Sequence, residues 1–283
     1  MKKLKIKRKF GKKRNQRIKT FVLAIGLLIC CCLVFVMLLA VTNSPKEIYK
    51  VDSRIKEIEK EKKNENEKGI ETIGWLKVQG TTIDAPIISY DNINALNNTT
   101  KENFLWNQNN EEKFFNQVSV AGHNILNLST TPERGLEYFT RFDDLMSFVY
   151  EDFVQENKYI QYTIDGKDYV YKVFAVFFEK DYRLRVSYKK NYTEEEMETF
   201  ITKAKESSFY DFDVEVDKTD SIITLTTCTR MLPNGSGKQL AVIGRLLRED
   251  EIMTNYEVKA NDKYKQIENI MKGDEQDDKT QEV

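Results

Sequence analysis

Short apolar runs separated by polar turns fill the middle of the chain. Residues rich in Val, Ile, Leu, Phe and Tyr predict strands at 74–78, 85–90, 117–121, 159–164, 169–178, 221–228 and 240–247. Asp165 and Gly166 separate two of these runs as a hairpin turn does. Many short strands with few helices predict a mostly β domain, either a closed barrel or a sandwich.

Two segments with helical spacing interrupt the strands. Thr193 and Glu196 have the spacing of a capping box, and the apolar residues that follow share one helical face: Met197, Phe200, Ile201 and Ala204. We expect this helix to pack on the barrel. Residues 136–150 predict a second helix whose core-facing residues are Leu136, Phe139, Phe142 and Leu145.

The two flanks of this domain are strongly charged. Residues 43–71 carry a thin apolar stripe at helical spacing, which predicts an N-terminal helix that docks on the domain or acts as a stalk, with docking favoured. Residues 250–283 are charged and end in an acidic run, so we expect a flexible tail. Residues 72–249 remain as a domain of ordinary size.

The N-terminus resembles a membrane anchor. Residues 1–20 are basic and contain no acid, and the next stretch, 21–42, is apolar and about long enough to cross hydrocarbon. The positive-inside rule then predicts a single-pass protein of the cell membrane, with residues 1–20 cytoplasmic and the domain extracellular. A cleaved signal peptide is the alternative. Cys30, Cys31 and Cys32 lie in this run and are interpreted as small apolar residues.

Charge and composition exclude several classes of function. The formal net charge is -1, and the basic N-terminal cluster is explained by topology and anionic lipid, so no nucleic-acid partner is expected. The carboxylates are scattered, and a single His with a single Cys outside the apolar run cannot form a transition-metal cluster. We therefore expect no metal and no cofactor.

Only one pair of residues can support Cys/His chemistry. His123 is the only histidine, and Cys228 is the only cysteine outside the N-terminal apolar run. A thiol is a strong nucleophile as a thiolate, which a nearby imidazole favours while also supplying a proton to a leaving group. Taken individually, Cys228 could be a buried strand residue and His123 a surface loop residue.

The surroundings of both residues resemble a known family. Thr224-Leu225-Thr226-Thr227-Cys228 resembles the Thr-Leu-x-Thr-Cys signature of sortases, and Gly122-His123 resembles their Gly-His. The opening strands at 74–78 and 82–87, and the helix at 193–207 before the cysteine strand, are similar to class B sortases. The resemblance spans residues 73–247.

This resemblance implies an eight-stranded barrel and a membrane-anchored cysteine transpeptidase. Cys228 would attack the Thr carbonyl of an LPXTG- or NPQTN-like sorting signal on a surface protein, and His123 would protonate the departing amine. The acceptor would be an amino group of a cell-wall precursor or a pilin-type lysine. A membrane-tethered cysteine hydrolase is an alternative, although papain-like sites place Cys before His in the chain. A non-catalytic, sortase-like surface binding module is the other.

One expected residue is missing from this pattern. Sortases usually carry an arginine near the start of the strand after the cysteine, and counting back along that strand puts Gln239 there. Candidates for its substrate-binding or oxyanion role are Arg230, Lys238 and Gln239. Arg245 shares strand parity with Gln239 but lies about 20 Å further along the strand, which makes it a poor candidate.

Overall fold

The computed structural model describes residues 19, 21–37, 48–68, 72–89, 105–107, 116–124, 142–179, 191–229, 231 and 239–270. The chain divides into two compact units, Met1–Lys46 and Glu47–Val283. In the first unit, residues 21–37 are helical and exposed along their length, including Cys30, Cys31 and Cys32.

The predicted transmembrane anchor at 21–42, and with it the single-pass membrane location, is wrong. Within the part of the chain that the structure describes, no helix combines the length and the apolar character that crossing a bilayer requires. Residues 38–42 of the predicted anchor lie outside the described ranges.

The second unit is built around strands. They are β1 (Thr72–Val78), β2 (Asp84–Ile88), β3 (Leu105–Asn107), β4 (Gln117–Gly122), β5 (Tyr159–Ile164), β6 (Lys167–Glu179), β7 (Tyr210–Phe212), β8 (Ile222–Cys228), β9 (Gln239–Leu246) and β10 (Val258–Ala260). The α-helices are α1 (Ile55–Lys68), α2 (Glu151–Glu156) and α3 (Glu194–Ser207). Short 3-10 helices cover Asp143–Val149 and Asp262–Tyr264, and residues 265–270 are helical.

Eight of the strands form a closed barrel in the order β1-β2-β3-β4-β8-β9-β6-β5, so the prediction of a mostly β closed barrel is confirmed. Two neighbouring pairs are parallel, β2 with β3 and β4 with β8, and the remaining neighbours are antiparallel. Every residue of β4 and β5 is buried, including the polar residues Gln117, Ser119, Gln161 and Thr163.

Local sequence signals fix a hairpin and a helix of this domain. Asp165 and Gly166 both have positive φ, of 51° and 69°, and join β5 to β6 with Ile164 opposite Lys167. This is the backbone that a two-residue hairpin turn requires. Thr193 caps α3 in a complete capping box with Glu196. The buried face of α3 is the predicted one: Met197, Phe200, Ile201 and Ala204.

The segment before the barrel docks on it. The side chain of Arg54 donates two hydrogen bonds to Asp84 at the start of β2, with N···O distances of 2.6 and 3.2 Å. Asp84 also accepts from the indole N–H of Trp75 at 2.6 Å. Tyr49 stacks on Tyr159 with ring centroids 5.8 Å apart. These contacts favour the docked arrangement of the segment over a free stalk.

Residues 250–270, after the barrel, pack against it, which differs from the flexible tail expected there. Met253, Tyr256 and Val258 are buried, and β10 pairs with β7. The hydroxyl of Tyr256 lies 3.0 and 2.9 Å from the carbonyl oxygens of Lys158 and Val173. Apolar residues spaced among the charges therefore hold this segment to the barrel, and residues 271–283 lie outside the described ranges.

The predicted helix at 136–150 is only partly covered. Residues 136–141, including Leu136 and Phe139, lie outside the described ranges. Phe142 and Leu145 are fully buried as expected, but the backbone from Asp143 to Val149 is a 3-10 helix, followed directly by α2.

Candidate active site

The strand register brings His123 and Cys228 to neighbouring positions on one rim of the barrel. Strands β4 and β8 run parallel, and their aligned pairs proceed from Gln117 opposite Ile222 to Gly122 opposite Thr227. His123 and Cys228 are the next residue on each strand. Adjacent strands lie about 4.8 Å apart. The backbones of His123 and Cys228 are therefore direct neighbours, although the two residues are 105 positions apart in the sequence (228 less 123).

Two side-chain hydrogen bonds join the ends of β4 and β8. The hydroxyl of Thr227 donates to the carbonyl oxygen of Gly122 at 3.0 Å. The side-chain amide of Asn124 donates to the carbonyl oxygen of Cys228 at 3.1 Å. Both Thr227 and Asn124 are buried. Asn124 is not among the site residues predicted from the sequence, although it follows His123 directly and a polar side chain at a strand end was a usable signal.

Gly122 is required at its position by close packing. A Cβ atom there would lie 2.6 Å from Cβ of Phe142 and 2.7 Å from Cδ2 of Leu105. Real Cβ atoms do not approach other carbon atoms so closely, so any side chain would displace the strand end. The Gly-His pair of the sequence therefore has a steric reason: the glycine lets β4 pass under Phe142 just before the imidazole.

The accessibility of the two side chains suits attack on an external substrate. Strand β8 is buried from Ile222 to Thr227 and becomes exposed only at Cys228. His123 is half-buried. A thiol that reaches solvent at the end of a rigid buried strand, beside an imidazole, can form a covalent acyl intermediate with acid–base assistance.

A third polar residue, Gln239, lies directly opposite Cys228 on the neighbouring strand. Gln239, the first residue of β9, is the antiparallel partner of Cys228, and Glu179 at the end of β6 is the next partner across the sheet. Directly opposed residues project from the same face. Gln239 is half-buried, and its amide N–H can act as a hydrogen-bond donor beside the sulfur.

No group of three or more His, Cys, Asp or Glu side chains among the described residues is arranged to hold a metal ion.

A sequence profile of the sortase domain matches residues 76–247, more than half of the chain, with the rim and its two strand ends inside the match. The chain belongs to the sortase family. Sortase B of Staphylococcus aureus is 23% identical over 186 residues, which cover 62% of this chain and 70% of that protein. Sortase B of Listeria monocytogenes is 27% identical over 166 residues, which cover 55% of this chain and 62% of that protein.

The fold agrees with this assignment. The X-ray structure of Clostridium perfringens sortase B superposes with a TM-score of 0.52 at 21% identity, covering 66% of this chain and 100% of that one. The likeness concerns the fold. Together with the two sortase B relatives, it makes this chain a class B-like sortase. Sortases are cysteine transpeptidases, and family membership puts the chain in that class of enzyme.

In this sortase, the strand register places two of the residues considered for the role of the missing arginine, Gln239 and Arg245. Gln239 lies beside Cys228, as the count along the strand predicts. Arg245 lies at the opposite end of β9, opposite Ile222, where it is 1% exposed and donates to Glu251. Arg230 and Lys238 lie outside the described residues.

Proposed function

We propose that the chain is a transpeptidase that cleaves a C-terminal sorting signal after Thr, holds the protein as a thioester on Cys228 and transfers it to an amine. The observation that carries the proposal is the parallel register of β4 and β8, which makes His123 and Cys228 neighbours at one rim. The exposure of Cys228 at the end of a buried strand supports the same role.

The proposed reaction has two balanced steps. In the first, the thiolate of Cys228 attacks the Thr carbonyl carbon, the C–N bond of the signal breaks, and His123 gives its proton to the departing amine. In the second, an incoming amine attacks the thioester carbonyl, a new C–N bond forms, and the C–S bond breaks to regenerate the thiolate. The proton lost by the amine returns to His123.

Gln239 is the proposed third participant. Each tetrahedral intermediate carries a negative oxygen, and a donor beside the thiol stabilises it. The pairing of Gln239 with Cys228 supports this choice among the three candidates, and Arg230 and Lys238 lie outside the described residues. A neutral amide donates fewer hydrogen bonds than a guanidinium and carries no charge, so we expect a weaker contribution than an arginine would make at this position.

The proposed substrates are proteins that carry an LPXTG- or NPQTN-like signal. The proposed acceptor is an amino group, either of a cell-wall precursor or of a lysine on a pilin-type partner. Both follow from the sortase family, and they are distinguished by the products formed with each acceptor.

The test uses the purified full chain with a peptide of each signal type and two amine acceptors, triglycine and an Nα-acetyl-lysine peptide, followed by mass spectrometry. We expect a thioester adduct on the tryptic peptide that contains Cys228, and a product in which the amine replaces the residues after Thr. Cys228→Ala should give neither, and His123→Ala should lose at least about 100-fold in kcat. Cys31→Ala is the matched control and should behave as the parent.

Three outcomes would reject the proposal. The first is a complete lack of adduct and cleavage in the parent with every peptide. The second is turnover in Cys228→Ala equal to that of the parent. The third is release of only the free acid at high amine concentration, which would identify a hydrolase instead.

A further inference from the structure

We propose that Asn124 is a positioning residue, whose buried amide holds the end of β8 so that the thiol of Cys228 stays beside the imidazole of His123. This inference rests on the proposed function, because it assigns a role within the same site. It concerns the backbone of Cys228 and not the reacting atoms, so Asn124 acts through the cysteine.

The geometry of the contact is the main argument. Asn124 is 3% exposed, and its Nδ2 donates to the carbonyl oxygen of Cys228 at 3.1 Å. The ladder between β4 and β8 has its last aligned pair at Gly122 and Thr227, one position before the two reactive residues. The amide of Asn124 therefore continues the connection between the strands one residue further, across the position where the chemistry is proposed to occur.

A second contact shows that this strand end is tied from both sides of the reactive position. The hydroxyl of Thr227 donates to the carbonyl oxygen of Gly122 at 3.0 Å, and both atoms belong to residues that directly precede Cys228 and His123. Thr227 thus joins the strands just before the pair, and Asn124 joins them just after it. Strand ends commonly fray, and two hydrogen bonds from the buried side chains of Thr227 and Asn124, which flank the pair, limit this motion.

The effects on kcat, KM and melting temperature distinguish a positioning role of Asn124 from a purely stabilising one. One hydrogen bond contributes little to the stability of a domain of this size. A displacement of about 1 Å between reacting groups can slow a reaction by about 100-fold. Loss of the amide should therefore lower kcat strongly while changing the melting temperature and KM little, because Asn124 is not proposed to contact the substrate.

The experiment compares Asn124→Ala with Asn124→Gln and with a matched control in the full chain. Asn116 precedes β4 at its other end and also donates from Nδ2 to a backbone oxygen, that of Tyr192, at 3.0 Å. Asn124→Ala should lose about 10- to 100-fold in kcat with KM within about 3-fold. Asn124→Gln keeps an amide N–H and should recover part of the rate, whereas Asn116→Ala should keep the kcat of the parent.

A second readout does not need turnover. The rate of alkylation of Cys228 by iodoacetamide is measured against pH, with the Cys228 peptide resolved from Cys30, Cys31 and Cys32 by mass spectrometry. We expect the pH profile of Asn124→Ala to differ from that of the parent, and that of Asn116→Ala to match it. If the parent proves inactive as a transpeptidase, the proposed function fails, and this profile still decides the role of Asn124.

Two results would overturn the proposal. One is a folded Asn124→Ala enzyme with a kcat within about 3-fold of the parent and an unchanged alkylation profile. The other is an equal loss of kcat in Asn124→Ala and Asn116→Ala that follows their melting temperatures, because that pattern would describe a structural residue only.

Discussion

Replacing Arg245 with Met should destabilise the barrel and leave the chemistry intact. Arg245 is 1% exposed, and its guanidinium donates two hydrogen bonds to Glu251 and one, at 3.0 Å, to the carbonyl oxygen of Leu246. Arg245→Met keeps most of the apolar stem and removes the charge. Glu251 then remains beside the barrel without its main partner.

Two estimates give the loss of stability expected for Arg245→Met. The hydrogen bonds from Arg245, more than any other contact, lower the pKa of Glu251 from 4.5 to about 2. That lowering corresponds to at most about 3.5 kcal/mol at about 1.4 kcal/mol for each pH unit. Breaking a buried ion pair by removing one partner costs about 3–5 kcal/mol. Glu251 is 27% exposed and keeps the backbone N–H of Arg248, so we expect a loss of about 2–3 kcal/mol in the free energy of unfolding.

The effect should depend on pH with a defined sign. The pKa of Glu251 is lower in the folded protein than its ordinary value of 4.5, so its contribution is fully present above about pH 4.5. It is lost as the pH falls through about 2, since a protonated Glu251 gains little from the guanidinium. The difference in stability between the parent and Arg245→Met should therefore shrink between pH 4.5 and pH 2.

Thermal and urea unfolding followed by circular dichroism measure this difference, and we expect a melting temperature about 5–10 °C below that of the parent. Lys259→Met is the matched control: Lys259 pairs with Glu257 at 2.7 Å, but the two side chains are 68% and 64% exposed, so its loss should change the free energy of unfolding little. The reasoning is refuted if both variants melt alike, or if folded Arg245→Met loses more than about 10-fold in kcat.

Three further substitutions test the site and its supports. Gln239→Ala should lower kcat/KM by about 10- to 100-fold because a donor beside the thiol is lost, and Gln239→Arg should match or exceed the parent. Peptide cleavage at equal rates by the parent and both variants would exclude a role for this position. Gly122→Ala should lower both the melting temperature and kcat, because its Cβ would collide with Phe142; a normal melting curve would contradict the packing argument. Thr193→Ala should cost about 1 kcal/mol in urea unfolding through loss of the cap on α3, with Thr199→Ala, in the exposed second turn, as the near-neutral comparison.

Several elements of the fold could be predicted from short-range sequence patterns. The turn at Asp165 and Gly166, the capping box at Thr193 and the buried face of α3 follow from interactions within a few residues, and the structure has all three. The strands β3, β7 and β10 were not predicted. Each has only three residues, which is too short for an alternating pattern to be visible in the sequence. Their pairing depends on distant partners.

The candidate site was predictable in its residues but not in its geometry. His123 and Cys228 were identified by their uniqueness and by family motifs, which need no coordinates. Their adjacency follows from a parallel pairing between segments about 105 positions apart, and the sequence pattern of each strand contains no information about that partner. The anchor prediction rested on apolar composition alone, and no helix among the described residues has the length and apolar character that a span requires.

The packed C-terminal segment has a practical consequence for anyone who shortens this protein. The sortase similarity ends at residue 247, yet Glu251, Met253 and Tyr256 supply an ion-pair partner and buried contacts to the strands before it. A cut made at the limit of the recognisable homology would remove part of the folding unit, and loss of activity in such a fragment would measure its unfolding and say nothing about the thiol.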